Sequence, residues 1–389
     1  MRAGAAVAVL VAALGASVLA GGRLHEAVDE FSVDLLKDVF AEPRNLVVSP
    51  VSVSTLLAML DQGAQGDSAK QIEAAIHLNR RKARVLYGRL SHRLKEAPRH
   101  PGTQLEAANH VFVSRALAVR PRYLRLLRAT YLSGARRVEF GRGEGGSAVN
   151  AWVRNATRGR VDAVVDPVLS SETAMVLVNA MFFQSPWLKP FKTSSTSEEA
   201  FHLLDGYSVS APFMNKREFF NVGELPHLNA SWFELLFLGG QYSLVVVVPR
   251  ERIGLPQLVR NISAADLAGV ISGGRREELQ VALPRFALSS RTDLIPPLQR
   301  LGIKDIFDDD LSNLSGISKK KLVVSKAVQR VEMQIDEAGG LAAAATGFEL
   351  EPRSYVRRLA ADRPFLAAVV DKAQRLPLFV CAVVDPSRT

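Results

Sequence analysis

The amino-acid sequence predicts an α+β protein whose helices and strands occupy different parts of the chain. Apolar residues recur at helical spacing through most of residues 26–132, whereas long runs rich in β-branched residues dominate residues 173–384. A chain that alternated strands and helices would instead predict a parallel α/β sheet. Neither an internal repeat nor a low-complexity linker divides the 389 residues, of which 48% are hydrophobic. We therefore expect one large domain over residues 21–389.

The helices are placed by apolar spacing and by residues that favour helix starts. Ser49-Pro50 is one such start, because a serine hydroxyl can cap the first turn and proline suits its first position. Asp67 or Ser68 is the expected cap of the next helix. The predicted helices are 26–40, 51–64, 69–78, 80–97 and 120–132.

Strands are predicted where apolar runs carry β-branched or alternating residues between turn signals. Asp205-Gly206 marks the turn of a hairpin, and Gly239-Gly240 separates another pair of strands. The predicted strands cover 105–113, 173–183, the hairpin 201–214, 233–238, 242–248, 278–288, 322–337, 365–370 and 378–384.

Residues 1–20 have the pattern of a secretory signal peptide. Arg2 provides a positive start, residues 3–19 are apolar and uncharged, and small residues precede a suitable cleavage point between Ala20 and Gly21. A membrane anchor is the alternative, but the run is near the lower limit for spanning a bilayer and no basic stop follows it. We expect a secreted, extracellular protein with no membrane span.

Cysteine content and glycosylation motifs bear on the same question. The single cysteine, Cys381, lies in an apolar run, so no internal disulfide can form and a buried free thiol is expected. Four Asn-X-Ser/Thr sequons are typical of a glycoprotein. Their asparagines are Asn155, Asn229, Asn261 and Asn313.

Common catalytic and cofactor motifs are missing from the sequence. There is no Gly-X-Ser-X-Gly elbow, His-Glu-X-X-His motif or Walker loop, and the seven histidines show no metal-ligand spacing. Residues 141–146 formally satisfy the dinucleotide pattern G-X-G-X-X-G, but the other strands of a doubly wound fold are not predicted. A flexible loop is the better interpretation. We expect no cofactor and no metal site.

Several segments, in order along the chain, share one resemblance. They include NLVVSPVSVSTLLAMLDQGAQGDSAKQI at 45–72 and VLVNAMFFQSPWLKPF at 176–191. VSKAVQRVEMQIDEAGGLAAAATG follows at 324–347, flanked by VALPRFALSSRTDL and LGIKDIF within 281–307 and by ADRPFLAAVVD and LPLFVCAVVDP within 361–386. Together these segments resemble the serpin family of serine protease inhibitors over nearly all of the chain after residue 20.

The resemblance implies a fold with three β-sheets, about nine helices and an exposed reactive-centre loop at about residues 337–358. It also implies a mechanism: a serine protease cuts the loop and forms an acyl-enzyme. The cut loop then inserts as a strand into the main sheet and traps the protease covalently. Such a protein acts once, as an inhibitor, and we expect a monomer.

The loop residues suit strand insertion, during which side chains alternate between two faces. Residues 339–348 carry no charge, no proline and few large side chains, so their amides can join a ladder without overpacking the sheet. A flexible linker or an alanine helix is the alternative. Gly340 stands where threonine or serine is usual, which costs about 0.5–1 kcal/mol in a strand and predicts slower or leakier trapping. The expected hinge residues are Glu337, Gly339, Gly340, Ala342, Ala343, Ala344, Ala345 and Thr346.

The scissile bond is placed by position within the resemblance. In serpins the residue before this bond usually lies 16 positions after a hinge glutamate, which is Glu337 here, so the predicted bond joins Arg353 and Ser354. An arginine at this place suits trypsin-like proteases, whose primary pocket holds a carboxylate. Arg357-Arg358 is the alternative bait.

Four residues match serpin positions that control opening of the main sheet. Ser49, Ser52 and Asn179 match the region where the central strands part, and Trp187 matches the top of the sheet where the loop enters. Helix capping and a buried strand asparagine are the alternative interpretations of the first three. Gln329 stands where many serpins have histidine.

Residues 79–100, NRRKARVLYGRLSHRLKEAPRH, predict a basic amphipathic helix in a chain of formal net charge +10. The matching helix of heparin-dependent serpins binds sulfated glycosaminoglycan, so heparin or heparan sulfate is an expected partner and nucleic acid is not. A solvated basic face is the alternative. The expected buried stripe is Ala83, Leu86, Tyr87, Leu90, Leu94 and Ala97, and the expected ligands are Arg81, Arg84, Arg89, Arg93 and Lys95.

Three functions stay open from the sequence. The first is a suicide-substrate inhibitor of a trypsin-like protease. The second is a non-inhibitory carrier or chaperone whose loop is cut without trapping. The third is a glycosaminoglycan-anchored binding protein.

Overall fold

The computed structural model describes residues 24–96, 100–141, 144–339 and 356–388. Its helices are α1 (residues 24–39), α2 (Pro50–Asp61), α3 (Gly66–Ala75), α4 (Arg80–Glu96), α5 (Pro121–Tyr131), α6 (Gly145–Ala156), α7 (Leu255–Asn261), α8 (Ala264–Ser272) and α9 (Ile295–Arg300). Its strands are β1 (Leu46–Val48), β2 (Gln104–Ser114), β3 (Gly134–Val138), β4 (Met175–Gln184), β5 (Thr196–His202), β6 (Ser208–Leu225), β7 (Ala230–Leu236), β8 (Tyr242–Pro249), β9 (Arg275–Pro284), β10 (Phe286–Asp293), β11 (Lys326–Ile335), β12 (Arg358–Ala360), β13 (Phe365–Asp371) and β14 (Leu376–Val383). The predicted α+β class is confirmed.

The described strands form two hydrogen-bonded sheets. The smaller has the order β10-β11-β4-β2-β3. The larger has nine strands in the order β1-β14-β13-β8-β7-β6-β9-β12, with β5 beside β6. The long strand β6 pairs with β5 along its first half, with β7 at its end and with β9 between. The resemblance implies three sheets. Because β6 is shared in this way, strands expected in two smaller sheets form one continuous sheet.

A parallel pair lies at the centre of the five-stranded sheet. β11 runs parallel to β4, from Lys326 opposite Val176 to Met333 opposite Phe183. The outer neighbours of this pair, β10 and β2, are antiparallel to it. Parallel pairing is slightly less stable per residue than antiparallel pairing. We call this β4–β11 contact the seam.

Both faces of the five-stranded sheet are covered. On one face, Val149 and Val153 of α6 pack against Phe112, Val176 and Val178. The main core lies on the other face, between this sheet, the nine-stranded sheet and helices α1 to α4. Every residue of β13 and β14 is buried, which explains why these strands read as continuous apolar runs rather than alternating ones.

Several predicted boundaries were wrong, and three of them bear on the site described below. α3 begins at Gly66, so neither Asp67 nor Ser68 caps it, and Ser68 accepts the amide of Asn313 instead (3.0 Å). The predicted strand 278–288 is two strands, β9 and β10, which separate at Arg285. β11 ends two residues before the predicted end, so residues 336–337 lie outside the sheet's strand pairing.

The glycine-rich pattern at 141–146 serves helix packing. Gly145 and Gly146 are the first residues of α6 and not of a loop. A side chain at Gly146 would meet the carbonyl carbon of Pro167 at 2.7 Å. The chain at 166–167 therefore fills the space beside this helix start, which gives the dinucleotide interpretation no support.

Candidate functional site: the loop roots and the seam

The predicted bait lies outside the described residues, and so do Arg353, Ser354 and the hinge residues from Gly340 to Thr346. The structure does describe the chain on both sides of this segment of 16 residues, 340–355. We call residues 336–339 the first root and residues 356–360 the second root.

The first root is bound to the turn that follows β4. The amide of Trp187 donates to the carbonyl of Ala338 (2.9 Å), and the amide of Phe191 donates to the carbonyl of Glu337 (2.9 Å). The indole Nε1 of Trp187 donates to the carbonyl of Asp336 (2.8 Å). These bonds lie beyond the last strand pair of the seam and hold the chain after β11 against the chain after β4.

Gly339 ends the first root in a conformation that suits glycine. Its φ is +93°, in the region that L side chains rarely adopt. An added Cβ would collide with the carbonyl oxygen of Ser185 and would lie 2.6 Å from the amide nitrogen of Trp187 and 2.9 Å from the carbonyl carbon of Pro186. All three are backbone atoms, which cannot rotate away. Glycine thus permits the close approach that the Trp187–Ala338 bond needs.

Glu337 anchors the first root by its side chain. The carboxylate accepts hydrogen bonds from the guanidinium of Arg285 (2.7 Å from Nε) and from the hydroxyl of Thr196 (2.6 Å). Burial would raise the pKa of this carboxyl, but the bonds from Arg285 and Thr196 outweigh burial and hold the pKa below its ordinary value. The break between β9 and β10 places Arg285 here. The ion pair therefore ties the root to the junction of β9 and β10, and the Thr196 bond ties it to β5.

A row of polar side chains, of which Asn179 and Gln329 are buried and Asn109 is half-buried, crosses the seam. Asn109, Asn179 and Gln329 lie opposite one another on β2, β4 and β11. The Gln329 amide donates to Asn179 Oδ1 (2.5 Å) and to the carbonyl of Ser49 (3.1 Å), and its Oε1 accepts the amide of Ser49 (3.0 Å). The Asn179 amide in turn donates to Ser52 and Asn109. The three predicted residues thus meet at the seam, joined by two more.

One expectation about this row changes, and one member was not expected. The Ser49 hydroxyl donates to the carbonyl of Leu378 in β14 (2.6 Å), so it does not cap α2, although Pro50 does begin that helix. Asn109 was not predicted, because only the β2–β4 register places it opposite Asn179. Gln329 fills the place where many serpins have histidine and cannot titrate, so it stays uncharged at every working pH.

Ion pairs anchor the second root. Arg357 lies between Glu224 (3.0 Å) and Glu277 (3.3 Å), and Arg358 pairs with Glu199 at the start of β12. Burial would raise the pKa of Glu199 and of Glu224, but hydrogen bonds from neighbouring polar and arginine side chains lower both. The alternative bait, Arg357-Arg358, is therefore part of an anchored strand.

The five predicted glycosaminoglycan ligands are all exposed on α4, but they do not form one cluster. Arg84, Arg89 and Arg93 line a groove of about 660 Å³ between α4 and α5. Arg81 lies outside this groove, and Lys95 lines a separate cleft. Within the described residues none of the five is paired with a carboxylate. Ala83, Leu86, Tyr87 and Leu90 are buried and Leu94 is partly buried, as predicted, and Ala97 lies outside the described residues.

The remaining predicted features are reported together. The asparagines of all four sequons are exposed, which glycosylation requires. Cys381 is a buried free thiol, as predicted, and burial raises its pKa to about 12. In the part of the chain that the structure describes, no helix has the length and apolar character to cross a membrane. The same part holds no cluster of three or more metal-ligating side chains.

Comparison with known proteins identifies the family. The family profile described as Serpin (serine protease inhibitor) matches residues 26–386. This chain belongs to the serpin family. Plasminogen activator inhibitor 1 of Bos taurus is 30% identical to this serpin over 372 residues, which cover 92% of this chain and 91% of that protein.

Solved serpin structures superpose on nearly the whole chain. Serpin48 of the insect Tenebrio molitor has a TM-score of 0.83 at 30% identity and covers 94% of this serpin and 98% of that chain. Native protease nexin-1 with heparin has a TM-score of 0.83 at 25% identity, covering 94% and 99%. The fold expected from the resemblance is thus confirmed, and the family places this serpin among the serine protease inhibitors.

Proposed function

We propose that this serpin is a secreted suicide-substrate inhibitor of trypsin-like serine proteases, with Arg353–Ser354 as its bait bond. The observation that supports this most is the position of the two roots around a closed seam. Trp187 and Thr196 hold the first root, and Glu199 holds the second, so one segment, 185–202, carries both ends of residues 340–355. The first root lies at the end of the seam that the cut loop would enter.

Strand insertion would exchange one ladder for two. The seam has eight residue pairs. A strand that turns back from β11 would run antiparallel to both β11 and β4, so the net gain is one ladder. At about 0.5–1.5 kcal/mol for each hydrogen bond, about eight bonds contribute about 4–12 kcal/mol. The cost of Gly340 in a strand, about 0.5–1 kcal/mol, is much smaller. We therefore expect trapping to proceed despite this departure from the family pattern.

An enclosed apolar cavity in the described part of the chain is too small to support a carrier function. The apolar cavity bounded by Leu36, Val270 and Leu366 has a volume of about 30 Å³. Pockets for drug-sized ligands enclose about 300–1,000 Å³. An apolar ligand of hormone size would therefore not fit there without a large rearrangement.

A trypsin reaction separates trapping from simple cleavage. We expect a band at the summed mass of protease and serpin on a denaturing gel, and a released fragment whose first residue is Ser354. Arg353→Gln is expected to abolish both products with trypsin. Cleavage at Arg353 without the summed band would support the carrier or chaperone alternative instead.

A matched pair of loop variants tests insertion itself. Ala344 and Ala345 alternate on a strand, so one of them faces the sheet interior. A glutamate on the inward face is expected to convert the inhibitor into a substrate, because it would bury an unpaired charge. A glutamate on the outward face should leave complex formation close to wild type. Equal behaviour of Ala344→Glu and Ala345→Glu would contradict the insertion mechanism.

The groove between α4 and α5 is the proposed site for heparin-like chains. Arg84, Arg89 and Arg93 share it, and the related protease nexin-1 was solved with heparin. Removing the three charges should lower the salt concentration that elutes the protein from heparin, because fewer counterions are released on binding. Neutralising Lys319, Lys320 and Lys321 removes the same charge elsewhere and should have a smaller effect. Equal shifts would refute this site.

Secretion, glycosylation and monomeric state are part of the same proposal. A mature N-terminus at Gly21 in the medium would support the signal peptide 1–20. A mass loss on treatment with an endoglycosidase would support modification of Asn155, Asn229, Asn261 or Asn313. Light scattering should give the mass of one domain over residues 21–389.

A further inference from the structure

The first half of β2 is paired on one side only. β2 pairs with β4 from Gln104 to Val113, but it pairs with β3 only from His110 to Ser114. Among the strands that the structure describes, none pairs with the other side of residues 104–109. We call residues 104–109 the open edge.

Hydrogen bonds at the far end of β2 show which backbone groups point away from β4. The amide of Arg115 donates to the carbonyl of Val138 on the β3 side (2.8 Å), whereas the amide of Ser114 donates to the carbonyl of Ala174 on the β4 side (2.9 Å). This direction alternates with each residue along a strand. The odd-numbered residues of β2 therefore present their amides and carbonyls away from β4.

The open edge presents such groups at three positions. The carbonyl of Asn109 accepts the hydroxyl of Ser133. Within the described residues, the outward amides and carbonyls of Leu105 and Ala107 have no partner, and Ala107 is exposed. A row of unpaired amides and carbonyls is a template to which another strand can add.

The open edge lines a cleft of about 1340 Å³ whose two faces differ. Leu105 faces the main core, where Leu90 and Leu94 also line the cleft. Glu106 faces the opposite way and pairs with Arg158 (3.3 Å). A strand that added here would turn alternate side chains toward apolar residues on one face and toward charged residues on the other.

The cleft carries a large excess of positive charge. Glu106 is the one carboxylate among the described residues that line it, and Arg158 already neutralises this group. Five other cations line the cleft and form no ion pair with any described residue. They are Lys95, Arg115, Arg128, Arg136 and Arg137. This charge favours a partner with acidic side chains.

Soluble proteins usually protect an exposed edge with lysine or proline on the strand itself. Residues 104–109, QLEAAN, contain neither. The five cations belong instead to α4, α5, β3 and the residue after β2. A sulfated polysaccharide would match these cations, but it carries no row of amides and carbonyls to complete the ladder.

We infer that the open edge is a docking site for an acidic, extended peptide segment of a partner protein, which adds to β2 as a strand in line with β3. Backbone hydrogen bonds to β2 supply affinity, and contacts between acidic side chains and the cations of the cleft supply selectivity. This site is separate from the groove between α4 and α5, and it does not depend on the proposed inhibitory function.

The test measures the binding of peptides to the full-length protein by fluorescence anisotropy. The parent probe is a labelled peptide of about seven residues in which glutamate and valine alternate, which matches the two faces of the cleft. Two control peptides carry N-methyl groups on alternate amides, at the valines in one and at the glutamates in the other. Each control therefore lacks donors along one edge of the strand.

Two pairs of protein variants test the contacts. Ala107→Pro removes an outward amide without taking a donor from the β2–β4 ladder, and Ala107→Val keeps that amide. Arg136→Gln combined with Arg137→Gln removes two cations of the cleft. Arg122→Gln combined with Arg125→Gln removes two exposed cations of α5 that lie outside the cleft.

We expect the parent peptide to bind saturably, and at least one N-methylated peptide to fail. Ala107→Pro and the Arg136/Arg137 variant should each weaken binding about tenfold, with both control variants within about twofold of wild type. Melting temperatures check that each variant is folded. If Ala107→Pro does not fold, the N-methylated peptides decide the question on the wild-type protein.

Three results would overturn the inference. The first is no saturable binding of the parent peptide. The second is equal binding of the parent and both N-methylated peptides, since the cleft would then attract anions without adding a strand. The third is heparin binding that weakens in the Arg136/Arg137 variant while no peptide binds, which would make the cleft a polysaccharide site.

Discussion

Replacing Gly339 with alanine should loosen the first root without altering the bait bond. A side chain at a φ of +93° costs about 1–3 kcal/mol, because L residues rarely adopt this conformation. The added methyl would also lie 2.6 Å from the amide nitrogen of Trp187 and 2.9 Å from the carbonyl carbon of Pro186. Overpacking against a fixed backbone costs about another 1–3 kcal/mol. The expected loss of stability is therefore about 2–6 kcal/mol.

Gly206→Ala separates the two contributions to that loss. Gly206 has a φ of +89°, but no atom outside its own turn lies within 4 Å of the position that a methyl would take. It should therefore show the conformational cost alone, about 1–3 kcal/mol.

Denaturant midpoints, and melting temperatures at one fixed scan rate, would compare the two variants with wild type. Gly339→Ala should be the less stable, and it should inhibit trypsin with a higher stoichiometry because its root is displaced. If both variants lost the same stability, the close contact between Gly339 and residues 185–187 would not constrain the root, and this reasoning would be refuted.

Three further predictions concern charge and pH. Arg285→Gln should lower the free energy of unfolding by about 1–3 kcal/mol near neutral pH and by less in acid. Because the pKa of Glu337 is lowered, the ionised carboxylate stabilises the fold, and this stabilisation is lost as the pH falls through that pKa. Urea unfolding at about pH 7 and about pH 4 checks this, and an equal loss at both would contradict it. Asp29→Asn should stabilise the protein above about pH 8 and change little near pH 4. Burial and two neighbouring carboxylates raise the pKa of Asp29 to about 8, so the wild type loses stability as the pH rises from about 4 through about 8. A change in melting temperature that did not depend on pH would argue against this prediction. Gln329→His should make the protein less stable at pH values below about 6. A fully buried imidazole has a lowered pKa, so the unfolded chain binds the proton at a higher pH than the folded chain does. Melting curves at about pH 7.5 and pH 5.5 that shift no more than those of wild type would rule this out.

Most of the fold could be predicted because its signals are local. The amphipathic period of α4, the hairpin at Asp205-Gly206 and the apolar runs of β13 and β14 each lie within one short segment. The break at Arg285 was missed because the strand-like pattern continues on both sides of it, although Pro284 is a local signal for a break. The partner that Arg285 finds there, Glu337, is 52 residues away and has no local signal. The sharing of β6 between two parts of the larger sheet likewise depends on pairing between distant segments.

The candidate site was predicted in part, through the resemblance rather than through spacing. Ser49, Ser52, Asn179 and Trp187 do meet at the seam or at its upper end. Asn109 has no local signal, because only strand register carries it to the seam. The same limit applies to the basic helix, whose sequence could not show which of its cations face α5.

The position of β13 and β14 within the larger sheet has a consequence for synthesis. Leu46 pairs with Ala382, so the first strand to leave the ribosome finds its neighbour among the last residues made. Pairing between such distant segments slows folding. Residues 340–355 therefore emerge before the larger sheet can close, while β4 and β11 are already available to them. Under the proposed mechanism, a newborn chain that inserted this segment between β4 and β11 too early could no longer trap a protease. We therefore expect the order in which the two sheets close to affect how much of the product is active.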